Sequence, residues 1–169
     1  MKDVENLQDL FELGLRYAYD CEQQLIKALP KMAQASSTSQ LQRAFEQHLE
    51  ETRRHAQRLE QVFQEIGAKA DTESNDVIKN LIKEGDNMIS HLDKSVLLDA
   101  GLIAAGNQVE HYETAVYGTL RTWATLLGRT KSAKLLEETL TEEKAANQKL
   151  TQIAETTVNR EALNVHAHA

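Results

Sequence analysis

The sequence is poor in residues that crosslink a chain, interrupt its helices or carry it through a membrane. It contains one cysteine, Cys21, which excludes an intrachain disulfide framework and fits a reducing compartment. One proline and seven glycines among 169 residues argue against a linker-rich or disordered chain. No apolar stretch reaches the roughly 18 residues that a membrane-spanning helix needs, so we expect no membrane partner.

Positive charge is also scarce, because 19 lysines and arginines face 26 acidic residues and the net charge is -7. An acidic chain of this kind is repelled by phosphate backbones and anionic lipids, so we expect no nucleic-acid partner. The first residues, MKDVENLQDLFELG, contain acidic side chains and no continuous apolar run, and we therefore expect no signal peptide. Together these features predict a cytoplasmic protein.

The residues present in quantity are helix formers, chiefly Ala, Leu, Glu, Gln and Lys, while aromatic residues make up only 5%. Apolar residues recur at helical spacing and predict four long helices, at about residues 4–34, 39–66, 95–127 and 131–157. A short amphipathic helix is predicted within about residues 77–90. Ser39 and Gln42 predict a capping box at the start of the second long helix. Gly67 and Gly128 predict the ends of the second and third.

One long connection, at about residues 67–94, separates the second and third long helices. Ferritin-like bundles place their single long crossover at this point, whereas simple up-and-down bundles have only short loops. The predicted fold class is therefore all-α, a ferritin-like four-helix bundle with an additional short helix in the crossover. Residues 1–160 are predicted to form one domain and residues 161–169 a disordered tail, in which His166 and His168 offer only adventitious metal binding.

The short helix carries more apolar residues than one narrow stripe can hold. Part of this surface needs cover beyond a single bundle face, and we therefore expect a homodimer. The residues are Val77, Ile78, Leu81, Ile82, Met88 and Ile89.

Glutamates occupy inward positions on all four long helices. Unpaired ionised carboxylates are costly in a bundle core, so five of them indicate a bound cation, most simply two. Oxygen ligands with one or two imidazoles suit iron or manganese, and the residues alone leave both open. The candidate ligands are Glu22, Glu51, Glu110, Glu113 and Glu143, with Glu51 and Glu110 as the candidates that bridge two metals.

The histidine pattern of known ferritin-like centres is incomplete here. That pattern has Glu on two helices and Glu-x-x-His on the other two. Arg54 and Ala146 occupy the positions three residues after Glu51 and Glu143. The available imidazoles are His48 and His55, and the alternative reading is a buried metal-free network that also includes Arg54 or Arg58.

Tyr117 lies one turn after Glu113 and is the candidate catalytic residue. A tyrosine at this position could pass an electron or hold a ligand in place. A core tyrosine bonded to a neighbour is the alternative. The remaining glutamates on these helices are expected to be solvated, namely Glu50, Glu60, Glu137, Glu138 and Glu142.

Four stretches carry a resemblance to a known family: YDCEQQLIKALPKMA (19–33), FEQHLEETRRHAQRLEQVF (45–63), QVEHYETAVYGTL (108–120) and LLEETLTEEKAANQKL (135–150). They resemble the YciF-like bacterial stress-response proteins, a family named for a domain of unknown function within the ferritin-like superfamily. The resemblance implies a rubrerythrin-like bundle, usually a homodimer. It also implies a di-iron site at the five glutamates with a histidine from His48 or His55.

Three classes of function remain open from the sequence. The first is a di-iron oxidoreductase that handles peroxide or oxygen during stress. Because the chain has no cysteine pairs for a rubredoxin-like centre, its electron donor would be a separate redox partner protein. The second is a non-catalytic metal-binding protein, and the third is a structural dimeric stress protein with a degenerate metal site. The missing histidines favour the third over a fully equipped oxidase, so enzymatic activity stays open.

Overall fold

The computed structural model describes residues 4–165, and this part of the chain is helical without any strand. Every predicted helix is present within a few residues of its predicted ends. None of the helices in this range is long and apolar enough to cross a bilayer. The helices are α1 (Leu7–Ala35), α2 (Ser39–Glu65), α3 (Asp76–His91), α4 (Val96–Leu126), α5 (Thr130–Ile153) and α6 (Asn159–Asn164), and a π-helical segment, Ala154–Val158, joins α5 to α6.

The four long helices form a bundle in which α1 and α5 each contact both α2 and α4. One apolar cluster joins the C-terminal halves of α1 and α5 to the N-terminal halves of α2 and α4. Neighbouring helices therefore run antiparallel, while α2 and α4 run parallel across the diagonal. Only a connection that spans the length of the bundle permits this arrangement. The predicted ferritin-like topology, with its extra short helix in the crossover, is confirmed.

The crossover helix α3 packs against α4 and α1. Ile78 is fully buried and Val77 is 56% exposed. The same chain therefore covers much of the apolar face of α3, while Val77 stays exposed. The homodimer itself stays a prediction. The residues of α3 that pack against the bundle core beside Ile78 are Leu81, Ile82, Met88 and Ile89.

Glycines with positive φ follow the ends of α2 and α4, as predicted. Gly67 has φ 73° and Gly128 has φ 71°. Glycine adopts this conformation at little cost because it has no side chain. The next residue in each case donates its N–H to a carbonyl of the last helical turn, Ala68 to Phe63 at 2.9 Å and Arg129 to Ala124 at 2.8 Å. These bonds satisfy carbonyls that would otherwise lack a partner inside the helix.

The start of α2 is capped from another helix rather than by its own residues. Asp99 of α4 is fully buried, and its carboxylate accepts the N–H groups of Ser37 at 2.6 Å and Thr38 at 2.9 Å. The capping box predicted from Ser39 and Gln42 is wrong, because the N-cap is Thr38 and it makes no side-chain cap bond. Asp99 therefore ties the first turn of α2 to α4.

The interior of the bundle consists of two apolar clusters with a polar layer between them. One cluster lies at the end of the bundle where α2 and α4 begin. The other lies at the opposite end and contains three of the largest fully buried side chains, Phe11, Phe63 and Tyr117. Buried polar residues of all four long helices lie between the two, namely Glu22, His48, Thr52, His55, Glu110, Glu113 and Glu143.

The chain continues as helix beyond α5. The π-helical segment buries Ala154 and Val158, and both it and α6 contact α4. Because α6 ends at Asn164, helix extends into the segment that was predicted to be a disordered tail. His166 and His168 lie outside the described residues.

Candidate metal centre

Helix α4 places two carboxylates and a phenol on one face. Glu110, Glu113 and Tyr117 are spaced by three and four residues, so they lie one turn apart, and all three are buried. Gly106 precedes Glu110 by one turn on the same face. A Cβ atom at Gly106 would lie 2.9 Å from Cδ1 of Leu150, so the glycine allows α5 to approach α4 closely beside the polar layer.

The other three helices contribute by the same spacing. On α2, His48, Thr52 and His55 form one buried stripe. Thr52 donates its hydroxyl to the carbonyl of His48 at 2.8 Å, so this hydroxyl is satisfied within its own helix. Glu22 of α1 and Glu143 of α5 are both fully buried and point into the same layer.

These side chains form two groups of potential ligand atoms that share one residue. One ligand atom from each of His48, Glu110, Glu113 and Glu143 lies within 4.8 Å of the others. One atom from each of Glu22, His55 and Glu143 does the same. Since Glu143 belongs to both groups, its carboxylate lies between two potential cation positions. We call these six residues the inner cluster.

Most ligand atoms of the inner cluster have no hydrogen-bond partner. Ordinary buried polar atoms are almost always satisfied, so a concentration of unsatisfied atoms in one place needs a cause. Apart from Nδ1 of His48, which faces Glu51, these atoms belong to side chains that meet across the bundle axis, where a cation would satisfy them together. The eight atoms are Oε2 of Glu22, Nδ1 and Nε2 of His48, Nδ1 of His55, Oε2 of Glu110, Oε2 of Glu113, and Oε1 and Oε2 of Glu143.

His55 is held by a carboxylate on its outer side. Its Nε2 lies 2.7 Å from Oε2 of Glu142, and Arg58 donates two hydrogen bonds to the same carboxylate, both at 2.8 Å. Its Nδ1 faces inward, 2.8 Å from Glu143 and 3.8 Å from Glu22. In the neutral ring, a proton on Nε2 toward Glu142 leaves the lone pair of Nδ1 directed at the inner cluster, as a metal ligand requires.

His48 has a matching arrangement. Its Nε2 faces inward, 3.1 Å from Oε1 of Glu110 and 3.8 Å from Oε2 of Glu143. Its Nδ1 faces outward, 3.5 Å from Oε2 of Glu51. Each histidine therefore presents one ring nitrogen to the inner cluster and the other to a carboxylate at the rim.

Tyr117 and Cys21 complete the surroundings of the centre. Tyr117 donates its hydroxyl to Oε1 of Glu22, and its ring centroid lies 6.4 Å from that of His55. Cys21 is buried, and its thiol lies 3.5 Å from Oε1 of Glu113. Burial raises the pKa of the Cys21 thiol well above its usual value, and the glutamates nearby reinforce this, so the sulfur stays protonated.

The carboxylates of the inner cluster hold protons unusually well when no cation is bound. Burial raises the pKa of Glu22 to about 8 and that of Glu110 to about 7, although neighbouring histidines counteract part of the effect. Burial and the charges of nearby glutamates raise the pKa of Glu113 well above its usual value. Burial would raise the pKa of Glu143 too, but His55 and His48 outweigh burial and lower it. Glu143 is therefore the carboxylate of this cluster that stays ionised.

The histidines respond in the opposite sense. Burial favours neutral imidazole, but Glu142 and Glu143 outweigh it and raise the pKa of His55 to about 10. Burial also opposes the charge on His48, yet Glu110, Glu51 and Glu143 raise its pKa well above the usual value. Without a cation, the protonated imidazoles pair with ionised carboxylates beside them, His55 with Glu143 and Glu142, and His48 with Glu51. Cation binding would have to displace these protons.

The donor set fits transition-metal cations. Four buried carboxylates with two imidazoles match the oxygen-rich, partly nitrogen ligation that iron and manganese accept. The unsatisfied atoms give this fit independent support, because without a cation only contacts with protonated imidazoles, such as His48–Glu110 and His55–Glu143, can pair them. In the part of the chain that the structure describes, the inner cluster can hold a metal ion, and its division into two groups offers positions for two.

The structure brings six of the seven predicted metal-site residues into the inner cluster. Glu51 is the exception, because it lies at the rim against His48 and belongs to neither ligand group. The predicted bridging role of Glu51 and Glu110 is not what the geometry favours, since Glu143 is the residue common to both groups. Glu142 was predicted to be solvated, yet it binds His55 and Arg58.

Nearly the whole chain matches one protein family. Residues 6–163 match the family described as Domain of unknown function (DUF892). The chain belongs to the DUF892 family. This DUF892 chain is also 44% identical to Protein YciF of Escherichia coli (strain K12) over 163 residues, which are 96% of this chain and 98% of that protein. The predicted resemblance to YciF-like proteins is confirmed.

Solved structures share the fold of this DUF892 chain. The crystal structure of the E. coli stress protein YciF matches with a TM-score of 0.89 at 43% identity, covering 92% of this chain and 99% of that one. YcfI of Rhodopseudomonas palustris, for which a structural role has been suggested, matches at 0.85 with 43% identity, covering 89% and 96%. A protein from Xanthomonas campestris pv. campestris matches at 0.74 with 19% identity, covering 94% and 98%, and supports the fold alone.

Proposed function

We propose that this protein binds two cations, iron or alternatively manganese, in the inner cluster and acts on peroxide or oxygen as part of a stress response. The buried, unsatisfied ligand atoms of side chains that converge in the two groups of the inner cluster carry this proposal. A structural polar network would be expected to pair such atoms, because each unpaired one costs stability.

The chain's own residues divide into three roles in this proposal. Glu143 supplies the carboxylate shared by both cation positions. His48 and His55 each supply one inward nitrogen; Glu142 binds the outer nitrogen of His55, and Glu51 lies 3.5 Å from the outer nitrogen of His48. The bidentate Arg58–Glu142 pair anchors the His55 side of the centre. Fixed outer partners of this kind orient metal-binding imidazoles and raise their basicity.

Bound iron in its ferrous state would supply the electrons that reduce peroxide to water, with protons taken up from the surroundings. Tyr117 is the proposed redox-active residue, because its hydroxyl contacts Glu22 and its ring lies beside His55. The low-dielectric layers on either side exclude bulk water from the centre. A separate redox partner protein would return the electrons, since the only cysteine of the chain is Cys21.

The comparisons lend indirect support to the stress role. Protein YciF of E. coli is described as a stress protein, and the identity of 44% extends over nearly all of both chains. We propose the same stress role for this chain. Fold alone would not justify the transfer, because ferritin-like bundles have many functions.

A metal-free structural role is the second candidate function. The His48–Glu110 and His55–Glu143 contacts allow protonated imidazoles to neutralise the cluster without metal. The suggestion of a structural role for YcfI of R. palustris points the same way.

We also propose that the protein is a homodimer. Sedimentation at micromolar concentration tests this, and a monomer would contradict it.

Metal analysis combined with peroxide consumption separates these functions. The protein is produced in medium with added iron and manganese, and Glu143→Ala is compared with Glu46→Ala, which changes an exposed carboxylate of α2. We expect two metals per chain in the parent and in Glu46→Ala, none in Glu143→Ala, and peroxide turnover only where metal is present. Metal without turnover would leave a binding protein. An absence of metal in the parent would refute the proposal and favour the structural role.

A further inference from the structure

A narrow crevice between α2 and α5 leads from the surface to the inner cluster. Gln47 and Lys149 lie at its exposed outer end, and His48 and Glu110 lie at its buried inner end. Ala146 forms part of the wall. The cavity has a volume of about 20 Å³, enough for one water-sized sphere. The remaining wall is mainly apolar and includes Ala44, Phe45 and Leu150.

Glu51 is the predicted ligand that reaches this crevice from the solvent side. Its side chain is 18% exposed, whereas those of Glu110, Glu143 and Glu22 are 3%, 0% and 1% exposed. It lines the same cavity as Glu110, and its Oε2 lies 3.5 Å from Nδ1 of His48. A cation in the crevice would therefore contact Glu51 before it reached the buried ligands.

A chain of polar contacts closes the outer end of the crevice. Lys149 donates from Nζ to Oε1 of Gln47, and Gln47 donates from Nε2 to Oε1 of Glu51 at 2.9 Å. The inner side continues through His48 to Glu110, 3.1 Å from its Nε2. The Gln47 amide therefore holds the outermost carboxylate in place, and Lys149 holds the amide.

On the opposite side of the centre, a wider surface pocket of about 480 Å³ is lined by Arg58 and Glu142, but no residue of the inner cluster lines it. There His55 is covered by Glu142, which Arg58 binds with two hydrogen bonds. A cation approaching from that side would have to break this charge-assisted pair, which is among the stronger contacts on a protein surface. At the mouth of the α2–α5 crevice, by contrast, a cation meets the amide of Gln47 and the ammonium of Lys149 rather than an ion pair.

We propose that the α2–α5 crevice is the port through which divalent cations load the inner cluster, with Glu51 as the first carboxylate to bind them and Gln47 and Lys149 as its cover. This inference rests on the proposed metal-binding function. The small volume means that a hydrated cation must shed water in the port, and the oxygens of Glu51 and then Glu110 replace that water. The ammonium of Lys149 repels a cation at the mouth and slows its passage.

Cobalt loading of the metal-free protein measures passage through the port separately from binding. Cobalt(II) is added to chelator-treated protein, the rate is followed by visible absorption, and the final metal content is determined. Ala146→Leu fills the cavity, and Ala145→Leu makes the same change at the exposed neighbouring position. We expect Ala146→Leu to load about tenfold more slowly than Ala145→Leu and the parent, with the same final content, because the added carbons must be displaced for each passage.

A charge pair provides a second measurement that does not touch the core. Lys149→Gln removes the charge at the mouth, and Lys144→Gln removes the same charge at another exposed position of α5. We expect Lys149→Gln to load roughly threefold faster than Lys144→Gln at low salt. If Ala146→Leu fails to fold, this pair decides the question alone.

Equal loading rates in both matched pairs, with normal final cobalt content, would overturn the port and leave the metal-binding function intact. An absence of cobalt binding in the parent at any time would instead refute the metal-binding function on which the port depends. Slower loading in Ala146→Leu together with faster loading in Lys149→Gln would support the port.

Discussion

Replacing Glu110 by glutamine tests whether the buried carboxylates destabilise the metal-free bundle. The change keeps the shape of the side chain and removes its charge. Glu110 is buried, and burial raises its pKa from 4.5 to about 7 despite the nearby His48. Since one pKa unit corresponds to about 1.4 kcal/mol, an ionised Glu110 lowers the free energy of unfolding by about 3 kcal/mol.

The sign of this effect depends on pH. Well below the unfolded pKa of 4.5, both states hold the proton and Glu110 carries no penalty. As the pH rises from 4.5 through about 7, the unfolded chain releases its proton first, so the stability of the folded state falls. Metal-free Glu110→Gln should therefore exceed the parent by about 2–3 kcal/mol near pH 8 and by less than about 1 kcal/mol near pH 5.

Urea unfolding of chelator-treated protein at both pH values measures the difference. Glu46→Gln, which changes an exposed carboxylate of α2, serves as the control and should shift stability by less than about 0.5 kcal/mol. With metal added, the order should reverse, because the parent gains more from binding. If metal-free Glu110→Gln were no more stable than the parent near pH 8, the reasoning that burial of charge destabilises the empty cluster would be refuted.

Further substitutions test other parts of the structure. Glu143→Ala should lose both metals, whereas Glu51→Ala should retain most of its metal at equilibrium. Elemental analysis of the two variants measures the difference. Equal losses would show that Glu143 is not the shared ligand. Tyr117→Phe should leave metal content unchanged and slow peroxide consumption, and an unchanged rate would remove Tyr117 from the redox role. Asp99→Ala should lower the free energy of unfolding by about 2 kcal/mol, because two backbone N–H groups at the start of α2 lose their acceptor. Urea denaturation of Asp99→Ala beside Asp99→Asn checks the last expectation, and an effect below about 0.5 kcal/mol in both variants would contradict it.

The fold was predictable because its signals are local. Apolar residues at helical spacing marked the five main helices, and Gly67 and Gly128 marked two of their ends correctly. The length of the connection between α2 and α4 distinguished a ferritin-like bundle from simpler ones. The cap at the start of α2 was missed because its acceptor, Asp99, lies 62 residues from Ser37 along the chain.

The candidate site was predictable where a charge interrupts an apolar stripe. Glu22, Glu110, Glu113 and Glu143 all stood out in this way, and all are buried. Glu51 lies about 60° around the helix from His48, which places it at the edge of the buried stripe rather than within it.

Glu142 was missed because its position on α5 is that of an ordinary solvated residue. Its function depends on Arg58 and His55, which a different helix supplies. One signal was present in the sequence: Arg58 follows His55 at helical spacing, so a carboxylate that binds the arginine also meets the imidazole.

The polar layer between the two apolar clusters also determines how the helices align along the bundle axis. Helices rich in Ala and Leu could slide past one another by a turn and still bury apolar surface. Here such a slide would move Glu143 from the imidazoles of His48 and His55 into leucine-lined core on one side or the other. A single buried polar residue is enough to select one alignment in coiled coils, at some loss of stability. The charged layer therefore selects one register of the bundle, even before any cation is bound.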